Sequence, residues 1–100
     1  MFVHVRFHRL VQSDLNEILA KYEEISETLA EQFFAEFEIR IRKICENPTS
    51  FHYDACGLRR CNFAKFPYHF LYDLKEEYIR VWTVRHNRRN PNLGLRRFSK

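Results

Sequence analysis

The first residues of the chain alternate between apolar and polar side chains, and the pattern then changes to a helical period. The segment from Phe2 to His8 has a period of two and contains β-branched valines, which predicts a short strand. From Val11 to Ile25 the apolar residues recur at helical spacing. A helix is therefore predicted there, with its start near Gln12 or Ser13.

A second, longer helix is predicted from Thr28 to the pair Asn47-Pro48. Thr28 and Glu31 have the spacing of a capping box, in which each side chain bonds a backbone N–H group near the other. Apolar residues then recur at helical spacing as far as Cys45, and Pro48 disfavours the helical conformation in the residue before it. Because only about three residues join the two helices, we expect an antiparallel helical hairpin.

Three further strands are predicted after a polar loop at residues 48–57. The period of two returns from Leu58 to Lys65, from Tyr68 to Leu74 and from Tyr78 to Arg85. On the last strand, Ile79, Val81 and Thr83 are expected on one face, opposite Tyr78, Arg80, Trp82 and Val84. Short connections predict an antiparallel meander. The order β–α–α–β–β–β indicates an α+β fold, an antiparallel sheet packed on a helical hairpin, in one domain over residues 1–100.

The composition of the chain excludes a disordered protein and a membrane span. Hydrophobic residues make up 45% of its 100 residues, but no apolar run approaches the ~18 residues of a transmembrane helix. The N-terminus has no uninterrupted apolar region of the kind found in secretory signals, and three cysteines is an odd number for a disulfide framework. We therefore expect a cytoplasmic protein with free thiols and no membrane partner.

Charge is distributed unevenly between the two halves of the chain. Residues 1–56 hold 6 Lys and Arg against 10 Asp and Glu, whereas residues 57–100 hold 11 against 3. The net charges of −4 and +8 sum to the +4 of the whole chain. The basic second half predicts that this part of the protein contacts something anionic.

Several segments together resemble a known family. They are Asp14-Leu15 with Ile18, the helix LAEQFFAEFEIRIRKICENP, GLRR at 57–60, FPYHFLYDL at 66–74 and IRVWTVRHNRRNP at 79–91. In order and spacing they resemble the RelE/ParE superfamily of toxins from type II toxin–antitoxin systems, over nearly the whole chain. The resemblance implies a small toxin that arrests growth, needs no cofactor, serves plasmid stabilisation and is neutralised in a complex with a cognate antitoxin protein.

Two mechanisms and one inactive alternative follow from this resemblance. RelE-like members cleave mRNA on the ribosome without a metal ion, whereas ParE-like members inhibit DNA gyrase and are not known as nucleases. The long helical hairpin looks more like ParE-like members, and the basic second half with His86 favours the RelE-like mechanism. An inert orphan that only binds its antitoxin is the third alternative. The target, DNA gyrase or ribosome-bound mRNA, therefore stays open at this point.

His86 and Arg60 are the candidate catalytic residues if the chain is a nuclease. Metal-free RNA cleavage needs a group that moves protons and a cation that stabilises the phosphoryl oxygens, and His and Arg suit these tasks. By resemblance, Arg60 or Arg59 matches the strand arginine of some RelE-like members, and His86 lies within one position of their C-terminal histidine. A structural alternative for His86 is a cap on the last strand that bonds a carbonyl oxygen. The candidate anion- or target-binding residues are Arg59, Lys65, Arg85, Arg88 and Arg89.

Two further sets of residues favour structural roles over functional ones. The first set contains potential zinc ligands, but its spacings match no common zinc motif, so no metal site is predicted. Its members are His52, Cys56, Cys61 and His69. The second set is an aromatic stripe, which we expect under the helices as core rather than as a stacking platform for bases. Its members are Tyr68, Phe70, Tyr72 and Trp82.

The chain has more aromatic residues than one small core covers. It contains ten Phe and five Tyr, while a helical hairpin covers only one face of a sheet. We therefore expect an exposed apolar groove, which an acidic antitoxin segment would fill while its carboxylates meet the basic half of the chain. The aromatic residues outside the predicted stripes are Phe2, Phe34, Phe51, Tyr53 and Phe98.

Overall fold

The helices and strands of the protein follow the predicted order. The structure, a computed structural model, describes residues 4–88 and residue 97. Its elements are β1 (His4–Phe7), α1 (Val11–Ile25), α2 (Glu27–Glu46), β2 (Arg59–Asn62), β3 (Tyr68–Leu74) and β4 (Tyr78–His86). This order confirms the α+β prediction. No helix in the described part of the chain has the length and apolar character needed to cross a membrane. The predictions that name Phe2, Arg89 and Phe98 lie outside the described residues.

The first strand makes the sheet mixed rather than wholly antiparallel. The strand order is β1-β4-β3-β2, and β2, β3 and β4 form the predicted antiparallel meander. β1 runs parallel to β4, with Val5 opposite Ile79, so the prediction of an antiparallel sheet is wrong at this edge. Side chains alternate in both kinds of pairing, so the period of two does not encode strand direction. The long connection through the helices and the meander sets that direction instead.

The turn between β1 and α1 is held by His8, and α1 begins at Val11, next to the predicted start near Gln12 or Ser13. The Leu10 N–H donates to Nδ1 of His8 over 3.2 Å, and the Val11 N–H donates to the His8 carbonyl oxygen over 2.9 Å. Leu10 precedes the helix without a side-chain cap. One residue at the end of the strand therefore accepts the first backbone donors of the helix.

Ser26 alone joins the two helices. Its extended backbone ends α1, and its hydroxyl oxygen accepts the Leu29 N–H over 3.4 Å at the start of α2. The predicted capping box of Thr28 and Glu31 is wrong, because α2 already begins at Glu27 and both residues lie inside it. The hairpin connection is accordingly shorter than predicted.

The second strand is shorter than predicted because Glu36 of α2 binds the backbone of the turn that follows it. The N–H groups of Ala64 and Lys65 both donate to the Glu36 carboxylate, the second over 3.1 Å. These donors are then not available to a strand partner. The strand predicted over Leu58–Lys65 is therefore limited to Arg59–Asn62.

A β-bulge in β4 breaks the predicted alternation of faces. Val81 and Thr83 lie opposite consecutive residues of β3, so Trp82 is an extra residue between them. Beyond the bulge, Val84 rather than Thr83 lies in the core with Ile79 and Val81. The predicted assignment of faces is therefore correct as far as Trp82 and wrong from Thr83 onwards.

The main core lies between the helices and one face of the sheet. Phe33 of α2 is fully buried there, with its ring centroid 4.7 Å from that of Phe63. Tyr68, Phe70 and Tyr72 of β3 are buried in the same cluster. Three members of the aromatic stripe are therefore confirmed as core.

The opposite face of the sheet, which we call the outer face, has a small apolar cluster of its own. Leu58, Leu71 and Trp82 are buried together there, and Cys56 packs against them. The prediction of Trp82 under the helices is wrong, because alternation along β4 puts its side chain on the face opposite Val81, which lies in the main core.

Several apolar side chains stay exposed, as the number of aromatic residues predicts. Tyr53 is 65% exposed and Phe34 is 40% exposed, whereas Phe51 packs at the margin of the main core. Phe7 of β1 is 43% exposed. The ring centroid of Phe37 lies 6.2 Å from that of Phe7 and 6.3 Å from that of Phe34. The buried Phe37 thus connects the exposed rings of Phe7 and Phe34 into one aromatic strip across β1 and α2, which we call the Phe7–Phe34 strip.

Candidate functional site

Polar side chains from three strands and two loops form one network on the outer face. His69 of β3 and Arg85 of β4 lie directly opposite each other. Arg60 of β2 lies opposite Leu71, which is two positions along β3 from His69. Because side chains alternate along a strand, Arg60 lies on the same face as His69. Asp54, from the loop before β2, and Asn87, after β4, complete the set. We call these five residues the outer-face network.

A tight turn before β2 positions the carboxylate of Asp54. The Gly57 N–H donates to the Asp54 carbonyl oxygen over 2.9 Å, and Gly57 has a φ of 95°, which residues with a side chain rarely adopt. Oδ2 of Asp54 accepts the Cys56 N–H over 3.3 Å, and the Asp54 N–H donates to the Leu58 carbonyl oxygen over 2.6 Å. The turn thus fixes the carboxylate above the strands through backbone contacts.

The hydrogen bonds of His69 fix its protonation state. Arg85 donates from Nε to Nε2 of His69 over 2.9 Å, and because a guanidinium only donates, Nε2 carries no proton. Nδ1 of His69 lies 2.7 Å from Oδ1 of Asn87 and donates to it. Burial lowers the pKa of His69 to about 4, and the charges of Arg60 and Arg85 act in the same direction. His69 is therefore a neutral imidazole at physiological pH.

Asp54 is a shared counter-ion for the two arginines of the network. Its Oδ1 lies 3.3 Å from Nη1 of Arg60, and its Oδ2 lies 3.8 Å from Nη2 of Arg85. Burial alone would raise the pKa of Asp54, but hydrogen bonds from Cys56 and Arg60 and the charge of Arg85 lower it. The side chain of Arg85 is 4% exposed, so this pairing takes place away from bulk water. The network therefore holds two guanidinium groups around one anionic position.

The structure places His86 on the other side of the sheet from Arg60. His86 lies opposite Tyr68, and their ring centroids are 5.0 Å apart in an edge-on arrangement. Tyr68 belongs to the main core, so His86 faces the helices. Nδ1 of His86 accepts the N–H of Arg88 over 3.0 Å, in place of the carbonyl bond expected of a strand cap. The two candidate catalytic residues are therefore not brought together.

The remaining candidate binding residues are spread over the molecule. Arg59 donates from Nη1 to the carbonyl oxygens of Thr49 and Phe51, over 3.2 and 2.8 Å, and its guanidinium carbon lies 4.3 Å from the centroid of the Tyr53 ring. These contacts attach the loop after α2 to β2. Lys65 is exposed in the β2–β3 turn, Arg88 is exposed after β4, and Arg89 lies outside the described residues. Of the candidates that the structure describes, Arg60 and Arg85 share the outer-face network.

The potential zinc ligands are also separated. Cys61 is buried in the main core, whereas His69 lies in the outer-face network. His52 is exposed, and Cys56 packs against the apolar cluster of the outer face. Within residues 4–88 and 97, no group of three or more His, Cys, Asp or Glu side chains could hold a metal ion.

Asp14 binds the part of β4 that runs past the end of β1. Its Oδ2 accepts the Val84 N–H over 3.2 Å and the Thr83 hydroxyl over 3.3 Å. Arg97 donates to both carboxylate oxygens, over 2.7 and 3.1 Å, and from Nη1 to the Trp82 carbonyl oxygen over 3.0 Å. The beginning of α1 is thus attached to the sheet at the Asp14-Leu15 motif. An open cleft beside it is lined by Asp14, Glu17, Lys21, His86 and Arg97, among others.

The sequence does not reveal a second cluster of cations on the outer face. Arg6 of β1 and Arg80 of β4 lie directly opposite each other, and His8, Tyr78 and Trp82 lie beside them. We call these five residues the β1/β4 patch. Only the parallel pairing of β1 with β4 brings the two arginines together, and nothing in the period of two predicts that pairing.

Comparison with known families agrees with this fold. No curated protein matches the chain. A family model described as the ParE toxin of the type II toxin–antitoxin system parDE matches residues 5–91. The match runs from β1 past the end of β4, so it includes the helical hairpin, the meander and the outer-face network. The chain therefore belongs to the ParE toxin family of type II toxin–antitoxin systems, within the RelE/ParE superfamily.

Proposed function

We propose that the protein arrests growth in the cytoplasm by binding DNA gyrase, without cleaving nucleic acid, and that a cognate antitoxin protein neutralises it. The observation that carries this proposal is the state of His69. It is the histidine beside Arg60 and Arg85, and both of its ring nitrogens are engaged in hydrogen bonds that keep it neutral. The match to the ParE toxin family supports gyrase as the target.

The chemistry of the outer-face network supports binding over cleavage. RNA cleavage without a metal needs a base for the 2′-hydroxyl, an acid for the leaving oxygen and cations for the phosphoryl oxygens, all at one place. Arg60 and Arg85 supply cations. Asp54 is a weak base because its pKa is lowered, and His69 has a pKa of about 4 and has its donor committed to Asn87. Within the described residues, the network is therefore better suited to binding an anion than to transferring protons.

Cleavage of ribosome-bound mRNA is the second candidate function, and one observation favours it. Arg60 and Arg85 surround a single anion, Asp54, and a phosphate group carries the same charge. In this alternative Arg60 would stabilise the phosphoryl oxygens, as the sequence suggests. His86 lies on the other side of the sheet, so it would act only on a substrate that extends around the edge of the sheet.

A paired assay separates these functions. Purified toxin is added to DNA gyrase with relaxed plasmid, and in parallel to a translating ribosome system whose mRNA is examined by primer extension. We expect lost supercoiling, accumulation of gyrase-cleaved DNA and intact mRNA. Cleaved mRNA with normal supercoiling would establish the second function, and no effect in either assay would identify an inert member that only binds its antitoxin.

Two charge variants test whether the outer-face network contributes to gyrase inhibition. Arg60→Gln removes a cation from the outer-face network and should weaken gyrase inhibition. Arg42→Gln removes the same charge from an exposed position on α2 and should leave inhibition unchanged. Equal inhibition by both variants would exclude Arg60 and the outer-face network from the surface that meets gyrase.

A further inference from the structure

Arg6 and Arg80 place two positive charges side by side on the outer face. They occupy directly opposite positions on β1 and β4, where neighbouring strands are about 4.8 Å apart. Like charges at such positions repel each other and destabilise a sheet. Within the described residues neither arginine forms an ion pair, and Nε of Arg80 is buried without a hydrogen-bond partner. The fold therefore keeps a cation pair that an external anion would stabilise.

Aromatic rings hold these two guanidinium groups in place. The guanidinium carbon of Arg6 lies 4.6 Å from the centroid of the Tyr78 ring, and that of Arg80 lies 5.0 Å from the centroid of the Trp82 ring. Trp82 is 7% exposed, so its face is covered. A cation–π contact orients an arginine without neutralising its charge. The rings thus support the cations: Arg6 lies over the Tyr78 ring, and Trp82 is too buried to stack on bases.

Acidic residues border the β1/β4 patch on the side of the β3–β4 turn. Asp73 lies opposite Arg80, but it accepts a hydrogen bond from Nε1 of Trp82 over 2.9 Å and pairs with Lys75 over 3.5 Å. Glu76 and Glu77 border Arg6 at the β3–β4 turn. The acidic residues near the patch are Asp73, Glu76 and Glu77 and, on the side of His8, Asp14.

Cations surround the opposite side of the patch, near His8. Burial lowers the pKa of His8, and Arg97, Arg80 and Arg9 lower it further, while Asp14 opposes them. The ring of His8 lies 5.8 Å from that of Trp82, so these charges act on the patch as well. Arg97 is paired with Asp14, so the exposed Arg9 adds the positive charge on this side, from which an anion can approach the patch.

We propose that the β1/β4 patch binds the phosphate backbone of duplex DNA through Arg6 and Arg80, and so contacts the DNA that gyrase holds. The proposal rests on the proposed function, which supplies DNA at the target. Readers of single-stranded RNA or DNA present open aromatic faces on which bases stack, and Trp82 has none to offer. Paired cations without base-stacking surface suit sequence-independent contact with a duplex backbone.

The test measures binding of a labelled duplex of random sequence, about 20 base pairs long, by fluorescence anisotropy between about 50 and about 200 mM salt. The double variant Arg6→Gln/Arg80→Gln is compared with Arg42→Gln/Lys43→Gln, which removes the same charge from α2. We expect the salt dependence of log affinity to fall by about 1.8 in the first variant, since each phosphate contact contributes about 0.9. The α2 control should bind as the unmodified protein does.

Three results would overturn the proposal: no duplex binding by the unmodified protein, equal salt dependence in both double variants, or preference for a single-stranded RNA of the same length. Folding of each variant is checked by circular dichroism. Arg6→Gln, at an exposed position of the edge strand, carries the test if the double variant does not fold, with an expected fall of about 0.9.

Gyrase inhibition by the same proteins separates this proposal from the one it rests on. Inhibition that persists without any binding to DNA would refute the DNA contact and leave gyrase as the target. Binding to DNA without inhibition would refute the proposed function while the patch remains a DNA-binding site.

Discussion

Arg85 donates a hydrogen bond from Nε to Nε2 of His69 over 2.9 Å, and this bond keeps a neutral imidazole next to two guanidinium groups. Protonation of His69 would remove the acceptor that Arg85 uses and would place a third cation beside Arg60 and Arg85. His69 thus acts on the network as a positioning residue that holds Arg85 on the outer face.

The stability of the fold should depend on the protonation of His69. Its pKa falls from 6.5 to about 4 on folding, so the unfolded chain binds more protons in this interval and stability must decrease as the pH is lowered through it. The free energy of unfolding, from urea titrations, should fall by up to about 1.4 kcal/mol per pH unit between these values. His69→Gln should lose this component, and His52→Gln, at an exposed histidine, should keep it. An identical slope in His69→Gln and His52→Gln would contradict the assignment.

Arg59 and Arg60 are neighbours in β2, but we expect Arg60 to affect target binding and Arg59 to affect stability. Arg60→Gln removes a partly exposed cation from the outer-face network, and a lost charged hydrogen bond corresponds to a roughly 10- to 100-fold weaker contact with the target. Arg59→Gln releases the loop after α2 and should lower the free energy of unfolding by about 2 kcal/mol while toxicity persists at low temperature. The measurements are growth arrest on induction and thermal unfolding. The reverse assignment of the two effects would show that Arg59 meets the target.

His86 provides a separate test of the mechanism. His86→Gln keeps a side chain that can accept the Arg88 N–H, and under the gyrase mechanism it should arrest growth as strongly as the unmodified protein. If His86 were a general acid or base, this substitution would slow the cleavage reaction roughly 10²–10⁴-fold. A loss of that size in mRNA cleavage, measured on translating ribosomes, would support the RelE-like function.

A feature of the fold could be predicted from the sequence where the residues that determine it lie close together in the chain. The strands β3 and β4 and both helices are encoded locally, in the periods of their apolar residues. The end of β2 is not, because it depends on Glu36, which is distant in the chain and binds the N–H groups of Ala64 and Lys65. The bulge at Trp82 likewise depends on the register with β3.

The same distinction holds for the site. Arg60 and Arg85 are recognisable because the second half of the chain is strongly basic. Asp54 belongs to the acidic first half and joins them through a turn that depends on Gly57. Arg6 meets its partner through a parallel pairing that no local pattern encodes.

Glu36 should stabilise the fold more than other acidic residues of α2. It is 8% exposed and accepts two backbone N–H groups, which Glu36→Ala would leave without their acceptor. We expect the free energy of unfolding to fall by about 2–4 kcal/mol, and hydrogen exchange at Ala64 and Lys65 to accelerate. Glu38→Ala, at an exposed position of the same helix, should change stability by less than about 0.5 kcal/mol. Equal losses in the two variants would show that the turn is held by other contacts.

Neutralisation by the antitoxin should use charge and apolar contact in separable ways. The second half of the chain has a net charge of +8, and the Phe7–Phe34 strip exposes aromatic surface, so we expect an acidic partner that orders on binding, over roughly 2,000 Å² of total interface and with nanomolar affinity. Charges mainly guide association, whereas buried apolar anchors slow dissociation. Arg60→Gln should therefore lower the association rate, with Arg42→Gln as the control, and Phe34→Ser should raise the dissociation rate. Surface plasmon resonance with the product of the adjacent gene measures both rates, and growth recovery measures neutralisation. A basic partner, or one that binds without restoring growth, would contradict this prediction, because neither could cover the cations of the outer face.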